Sequence, residues 1–257
     1  MGLSLSAWFY SRVSDGPVSS SSPFPPLAVQ TCSRLAVTLN SSPVSPEDSC
    51  SHWSSVHCSP HFLLSACKQK VIRSPAELSS DGVRADFGVK EGLHVWEVWW
   101  SPDHRGSHAV IGISRQDCPL QASGYKVLVG GDAQSWGWEL KTNELWHDGQ
   151  MSETPLPIPE RVLLVLDADA GTLAFIVDGT FLGEAFEDLP RGEQLFPAVS
   201  SVRGGAIIQL RYLNGDPPAL MALCGLSIRQ FLGQQRQNQI DKLPLPPFLQ
   251  HYLLSSH

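Results

Sequence analysis

No stretch of this sequence strings together the roughly eighteen apolar residues that a membrane-spanning helix requires, so nothing in it predicts a span. Basic charge is also scarce: 18 lysines and arginines stand against 25 aspartates and glutamates, a formal net charge of -7. That balance argues against a nucleic-acid or acidic-membrane footprint, because phosphate binding needs a concentrated basic face. The opening MGLSLSAWFY has no basic residue and too short an apolar run for a secretory signal, which predicts an intracellular, cytoplasmic protein. Catalytic signatures are missing too. There is no G-x-S-x-G, no G-x-G-x-x-G and no Walker A sequence, so the expectation is a chain that is not an enzyme and carries no cofactor.

The six cysteines include no C-x-x-C pair, and a chain of 257 residues can bury a core without staples, so free thiols are expected. Cys50, His52, His57, Cys58, His61 and Cys67 are zinc-type ligands in one short region. Their irregular spacing and Ser/Pro-rich surroundings point to a loop or loose strand, and no metal site is expected.

What the sequence does contain falls into three textures. Residues 1–50 are rich in Ser and Pro with little apolar periodicity, which leaves too little buried area to offset chain entropy; they are expected to be variable and disordered. MGLSLS fits the N-myristoylation pattern at Gly2 and Ser6, though one acyl chain gives only marginal membrane binding.

From about residue 93, β-branched and aromatic runs alternate with turn residues, the pattern of an antiparallel sandwich. LHVWEVWW (93–100), HAVIGIS (108–114), YKVLVG (125–130), SWGWEL (135–140), RVLLVLDAD (161–169), TLAFIV (172–177), TFLGEAF (180–186), LFPAVSSV (195–202) and AIIQLRYL (206–213) are the predicted strands. Asp178-Gly179 predicts a tight hairpin, since both residues tolerate positive φ. VHCSPHFLLSACKQKV is a poor strand pattern and is expected to pack badly. His147-Asp148 could be an acid/base pair or a polar turn. Trp96, Trp99, Trp100, Trp136 and Trp138 could line a ligand site or fill the sandwich core; the turn and the core are the simpler readings.

After residue 214 the period changes. Leu220, Leu223, Cys224, Ile228 and Phe231 recur at three- and four-residue intervals, the face of one helix, with Pro217 and Pro218 at its entrance and Gly233 at its exit. A second short helix is expected near Pro247, following the apolar LPLPPFLQHYLL of residues 243–254. A module this small cannot bury its own apolar stripe, which points to a partner protein.

HVWEVWW, GSHAVIGIS, the Tyr-x-x-Leu-Val-Gly run at 125–130, SWGWEL, LVLDADAGTLAFIVDGTFLGEAF and LFPAVSSV together resemble the SPRY/B30.2 domain of the SPRY domain-containing SOCS box proteins. The tail resembles the SOCS box of the same family. The resemblance implies a mainly β fold, an antiparallel sandwich at 51–215 followed by a small helical SOCS box at 216–257. It implies Elongin B and Elongin C binding through Leu220, Leu223, Cys224 and Ile228, and cullin 5, with its RING protein, binding through Leu243, Pro244, Leu245 and Pro246. For the sandwich it implies a pocket for short Asn-rich peptides, of the Asp-Ile-Asn-Asn-Asn kind in inducible nitric oxide synthase. Arg73, Pro75, Glu77, Ser107, Tyr125, Val202, Arg203 and Gly204 occupy the matching positions. Glu77 stands where the family has a small residue and Arg203 where it has Trp. These two either repel or weaken the family peptide, or pair across the pocket mouth. The function so implied is substrate recognition for a ubiquitin ligase, leading to degradation of the target; the alternative is a peptide-binding scaffold without ligase recruitment.

Overall fold

The computed structural model describes residues 33–42, 44–45, 47–153, 160–215, 220–232 and 239–255. In chain order these form α1 (Ser33–Leu39), then β1 (Trp53–Cys58), β2 (Phe62–Leu64), β3 (Lys70–Arg73), β4 (Ser79–Ala85), β5 (Leu93–Trp100), β6 (Val110–Ser114) and β7 (Gln121–Ser123). There follow β8 (Ser135–Glu139), β9 (Glu144–His147), β10 (Gln150–Glu153), β11 (Arg161–Asp167), β12 (Thr172–Val177), β13 (Thr180–Phe186), β14 (Phe196–Ser201) and β15 (Ile207–Tyr212). Two helices close the chain, α2 (Leu220–Leu232) and α3 (Pro247–Ser255).

All strand pairings are antiparallel and build two sheets. One runs β1-β4-β14-β6-β8-β9-β10, with β7 also on β4; the other runs β13-β12-β11-β5-β15-β3-β2. Alternating side chains from both sheets fill one core: Val83, Ile111, Trp138 and Val199 from the first meet Trp96, Val98, Leu164, Phe175 and Leu210 from the second. Trp138 and Phe175 touch across it with ring centroids 4.9 Å apart. Trp96, Trp100, Trp136 and Trp138 are therefore core residues, while Trp99 points outward from β5 and is 49% exposed.

Two turns follow the predicted chemistry. Asp178 and Gly179 have φ of 49° and 77°, the paired positive values of a type I′ hairpin. Asp148 and Gly149 repeat this at 51° and 69°, so the His147-Asp148 dipeptide is a hairpin turn. The His147 ring lies stacked on Trp136, its Nδ1 2.8 Å from the Ser135 carbonyl.

Three expectations change. The stretch 53–73 supplies β1, β2 and β3, and Trp53, Phe62 and Val71 are buried in the core. Their strands are short and irregular, and the register of β1 on β4 shifts between Trp53 and Cys58, which hides the two-residue period. The YKVLVG run is not a strand; residues 125–131 cross the outer face of the first sheet as irregular chain, with Val129 packed on Val110 and Ala198. Finally, residues 33–39 are not disordered but form α1; residues 1–32, with the myristoylation pattern, lie outside the described residues.

A helix of seven residues is too short to persist alone, so α1 depends on what it covers. Leu35, with the half-buried Leu39, seals the outer face of the second sheet over Leu93, Val95, Leu163 and Val165. The unbroken apolar run VLLVL in β11 needs cover on both faces, and α1 provides the second. Arg34 anchors it at 2.8 Å from Asp169. Leu35, only 2% exposed, is the central contact. Leu35→Ala is expected to lower stability by about 2 kcal/mol, the low end for such truncations because a terminal helix can settle into the gap. An unchanged urea midpoint would show that α1 is not docked.

Candidate functional site

Four loops meet at one end of the sandwich, and buried polar groups hold each of them. The β3–β4 loop, residues 74–78, wraps the Arg73 guanidinium, which is fully buried and donates to the carbonyls of Ala76 (3.2 Å) and Ser79 (2.9 Å). The same guanidinium pairs with Asp81, also fully buried, through Nε at 2.9 Å and Nη2 at 2.7 Å. Asp81 further accepts from Ser59 Oγ (2.6 Å) and Ser79 Oγ (3.1 Å), and His61 Nδ1 lies 2.9 Å away. Burial alone would raise the Asp81 carboxyl, but hydrogen bonds from Ser59, His61 and Arg73, with the Arg73 charge, hold it below its ordinary range. Arg73 thus lies beneath the surface, where its part is to position the loop.

The other three loops are tied to this one. Gly205 N donates to the Arg73 carbonyl at 2.8 Å, fixing the β14–β15 loop. Gly204 sits so close to Pro75 that a Cβ there would lie 2.9 Å from the Pro75 Cα, which leaves glycine as the residue that fits. Arg203 arches over Gly106 of the β5–β6 loop, where a Cβ would come within 2.9 Å of the Arg203 Cβ. That loop, which carries Ser107, is held by the buried Arg105 guanidinium donating to the Trp100 carbonyl at 2.7 Å. On the far side Gly124 N donates to the Leu78 carbonyl at 2.7 Å. Ser80 Oγ donates to the carbonyls of Gly124 and Lys126, both at 2.9 Å, so the Tyr125 segment is pinned beside the β3–β4 loop.

The structure therefore brings Pro75, Glu77, Ser107, Tyr125, Val202, Arg203 and Gly204 onto adjoining loops. Pro75, Glu77, Tyr125, Arg203 and Gly204 are exposed, and Ser107 and Val202 half-buried. Glu77 and Arg203 do not pair: neither takes part in the ion pairs formed among the described residues. One residue that sequence reasoning passed over belongs to the same surface. Leu78 is 68% exposed and has φ of 49°, a left-handed conformation that a leucine adopts only under constraint. Its side chain type gave no signal in the sequence, because the feature lies in the backbone.

The second candidate surface is the helical tail. On α2, Leu220 is 77% exposed and Cys224 is exposed, while Leu223 and Ile228 are half-buried. Ser227, Ile228, Phe231 and Leu232 form one wall of an apolar groove of about 410 Å³, and Leu243, Pro244 and Leu245 form the other. Pro246 stands exposed at the entrance to α3. Gln250 Nε2 braces the second wall by donating to the carbonyls of Asp241 (3.1 Å) and Leu243 (2.9 Å). Of the tail residues, Ile240 and Leu253 are buried.

Burial pushes the thiols of Cys58 and Cys118 up to about 11, away from the reactive thiolate form. No three His, Cys, Asp or Glu side chains converge as a metal-binding group among the described residues. Among those residues no helix is long and apolar enough to cross a membrane.

Comparison with known proteins bears on both surfaces. The SPRY domain family matches residues 93–212 and the SOCS box family residues 216–254. SPRY domain-containing SOCS box protein 1 of Homo sapiens is 41% identical over 237 residues, covering 86% of each chain. SPRY domain-containing SOCS box protein 2 of Rattus norvegicus is 39% identical, covering 79% of this chain and 81% of its own. Among solved structures, the SPRY domain of human HERC1 superposes with a TM-score of 0.52 at 20% identity, over 62% of this chain and 96% of that one, a likeness of fold. A β-sandwich with its loops gathered at one end, followed by an outward-facing helical tail, together with relatives of this identity and coverage, places the chain in the SPRY domain-containing SOCS box family of substrate-recognition adaptors.

Proposed function

We propose that the chain is the substrate receptor of a cytosolic ubiquitin ligase assembled from Elongin B, Elongin C, cullin 5 and its RING protein. Residues 51–215 hold the target by a short Asn-rich peptide motif, and residues 216–257 recruit the ligase, which ubiquitinates the target and commits it to degradation. The receptor contributes proximity and orientation, and its partners supply the chemistry.

The observation that carries this reading is the exposure of Leu220 and Cys224, four residues apart on α2. A large apolar side chain left in water forfeits about 1.5 to 3 kcal/mol, which docking into another protein recovers. An amphipathic helix set into a partner's groove is the geometry this ridge suits, with Elongin C as the partner at Leu220, Leu223, Cys224 and Ile228. Leu243, Pro244, Leu245 and Pro246 then face cullin 5; their prolines hold a fixed turn that loses little entropy on binding.

Co-expression with Elongin B and Elongin C is expected to yield a stable ternary complex that Leu220→Ala/Cys224→Ala abolishes. If the wild-type chain captures neither protein, the adaptor reading fails and the peptide-binding scaffold remains. For the peptide site, Pro75, Glu77, Ser107, Tyr125, Val202, Arg203 and Gly204 are proposed to surround the motif, with Arg73 supporting their loop from beneath and Tyr125 as anchor: its ring packs while its hydroxyl answers a side-chain amide.

A further inference from the structure

The loop cluster contains two features that folding alone does not favour. Leu78 leaves its side chain 68% exposed and holds its backbone at φ 49°. An L-residue with a branched side chain resists that conformation, and an exposed leucine gains nothing from burial to offset it. The conformation is imposed from below, by the Arg73 guanidinium that donates to the carbonyls of Ala76 and Ser79 on either side of it. A strained residue held by a rigid, buried support is a mark of a built site. Beside it Tyr125, 51% exposed, is pinned by Gly124 N on the Leu78 carbonyl. Leu78 and Tyr125 are thus exposed on two segments joined by that bond, the apolar side of the loop cluster.

The charged residues follow in order along the joined loops. Glu77 precedes Leu78 in the same loop; next comes Pro75, in contact with Gly204; beyond Gly204 lies Arg203, its stem resting on Gly106. Glu77 and Arg203 are exposed and outside the ion pairs of the described residues. A chain bound across the loops from the Tyr125 segment would pass Leu78 and Glu77 on the β3–β4 loop and then Arg203 on the β14–β15 loop.

We infer that Leu78 is a specificity-determining contact, and that the site selects peptides carrying an apolar side chain, an adjacent Lys or Arg, and an acidic residue a few positions further on. The basic residue faces Glu77 and the acidic one faces Arg203, where a planar guanidinium can take a carboxylate through two hydrogen bonds. A peptide whose acidic residue sits beside the apolar one, as in Asp-Ile-Asn-Asn-Asn, places like charge against Glu77 and is disfavoured. This rests on the peptide-receptor reading of the same loops and adds the charge order that the target must carry.

The test is fluorescence polarisation with the full-length protein, co-purified with Elongin B and Elongin C if they bind, against labelled peptides of equal composition. Ile-Lys-Asn-Asn-Asp and Ile-Asp-Asn-Asn-Lys exchange only the charges, and each is also made in reversed order to cover both chain directions. The better orientation of the first is expected to bind at least tenfold more tightly than either orientation of the second, and Glu77→Lys/Arg203→Glu is expected to reverse the preference. Leu78→Asn, which suits positive φ and so preserves the loop, is expected to weaken the Ile-containing peptides about tenfold without lowering thermal stability. Equal binding of the two peptides, or a preference unmoved by the charge reversal, overturns the inference. If Asp-Ile-Asn-Asn-Asn binds well while the charge order has no effect, the receptor reading stands and only the inference falls. If none of the peptides binds, both the site and its specificity are refuted.

Discussion

Arg73→Met is expected to destabilise the sandwich by about 3 to 5 kcal/mol, the range for removing one partner of a buried ion pair and stranding the other. For a domain whose whole stability is on the order of 5 to 15 kcal/mol, that is a large fraction. Asp81 is fully buried and would lose both contacts from the Arg73 guanidinium, while the Ala76 and Ser79 carbonyls would lose their donor. Loop 74–78 would lose its support in the same step, so peptide binding should fall even under conditions where the protein stays folded. Urea unfolding gives the stability change, and a shift below about 1 kcal/mol would mean that the pair contributes little beyond its neighbours. The same network predicts an acid dependence. Because the Asp81 carboxyl is held below its ordinary 3.8 in the folded protein, its contribution is present above that pH and is lost as the pH falls through the folded value. Asp81→Asn should flatten that part of the stability profile, and an unchanged profile would move the acid sensitivity to another group.

Gly137→Val should displace the Tyr125 segment from the opposite side. Gly137 on β8 pairs with Gly112 on β6, and the Val129 carbonyl lies directly against Gly137. A Cβ at Gly137 would clash with Val110 Cγ1 and come within 2.8 Å of the Val129 carbonyl. A Cβ at Gly112 would overlap the Trp136 carbonyl and lie 2.7 Å from the Gly137 Cα. Backbone cannot rotate away as a flexible side chain can, so segment 127–131 must lift, breaking the 3.2 Å bond from Val129 N to Ser200 Oγ. Overpacking of this kind costs about 1 to 3 kcal/mol, and the upper end is expected here. Tyr125 would move with the segment, so peptide affinity should drop although Glu77, Leu78 and Arg203 are untouched. A Gly137→Val protein with wild-type stability and affinity would show that the segment is not pressed onto the sheet.

Much of the architecture was legible because period and burial coincide. LHVWEVWW has the β-branched and aromatic composition of a strand and forms β5, with Trp96 and Trp100 inward and Trp99 outward. Asp178-Gly179 marked its hairpin because a type I′ turn accepts few other residues. The α2 ridge was visible because Leu220, Cys224 and Ile228 share the four-residue spacing that defines a helix face. The misses have a common cause. YKVLVG has strand composition, but Gly130, with φ of 87° and Trp146 against it, together with Gly131, keeps the chain irregular over the sheet. Helix α1 has weak propensity in SRLAVTL and forms because Leu163 and Val165 on the outer face of β11 require cover. The β1–β3 region, with its shifted register, shows its burial only once its neighbours are in place.

An antiparallel sandwich followed by a helical tail is written in the sequence, because β-branched and aromatic runs between turn residues and an apolar period of three to four are local properties that survive without knowledge of the fold. Which side chains face one another was decided by the tertiary structure alone. Arg73 sits beneath the loops and Leu78 on top of them, and Glu77 and Arg203 stand unpaired on adjoining loops, because a buried ion pair and a set of close glycine contacts fix loop positions through space, where sequence spacing has no say.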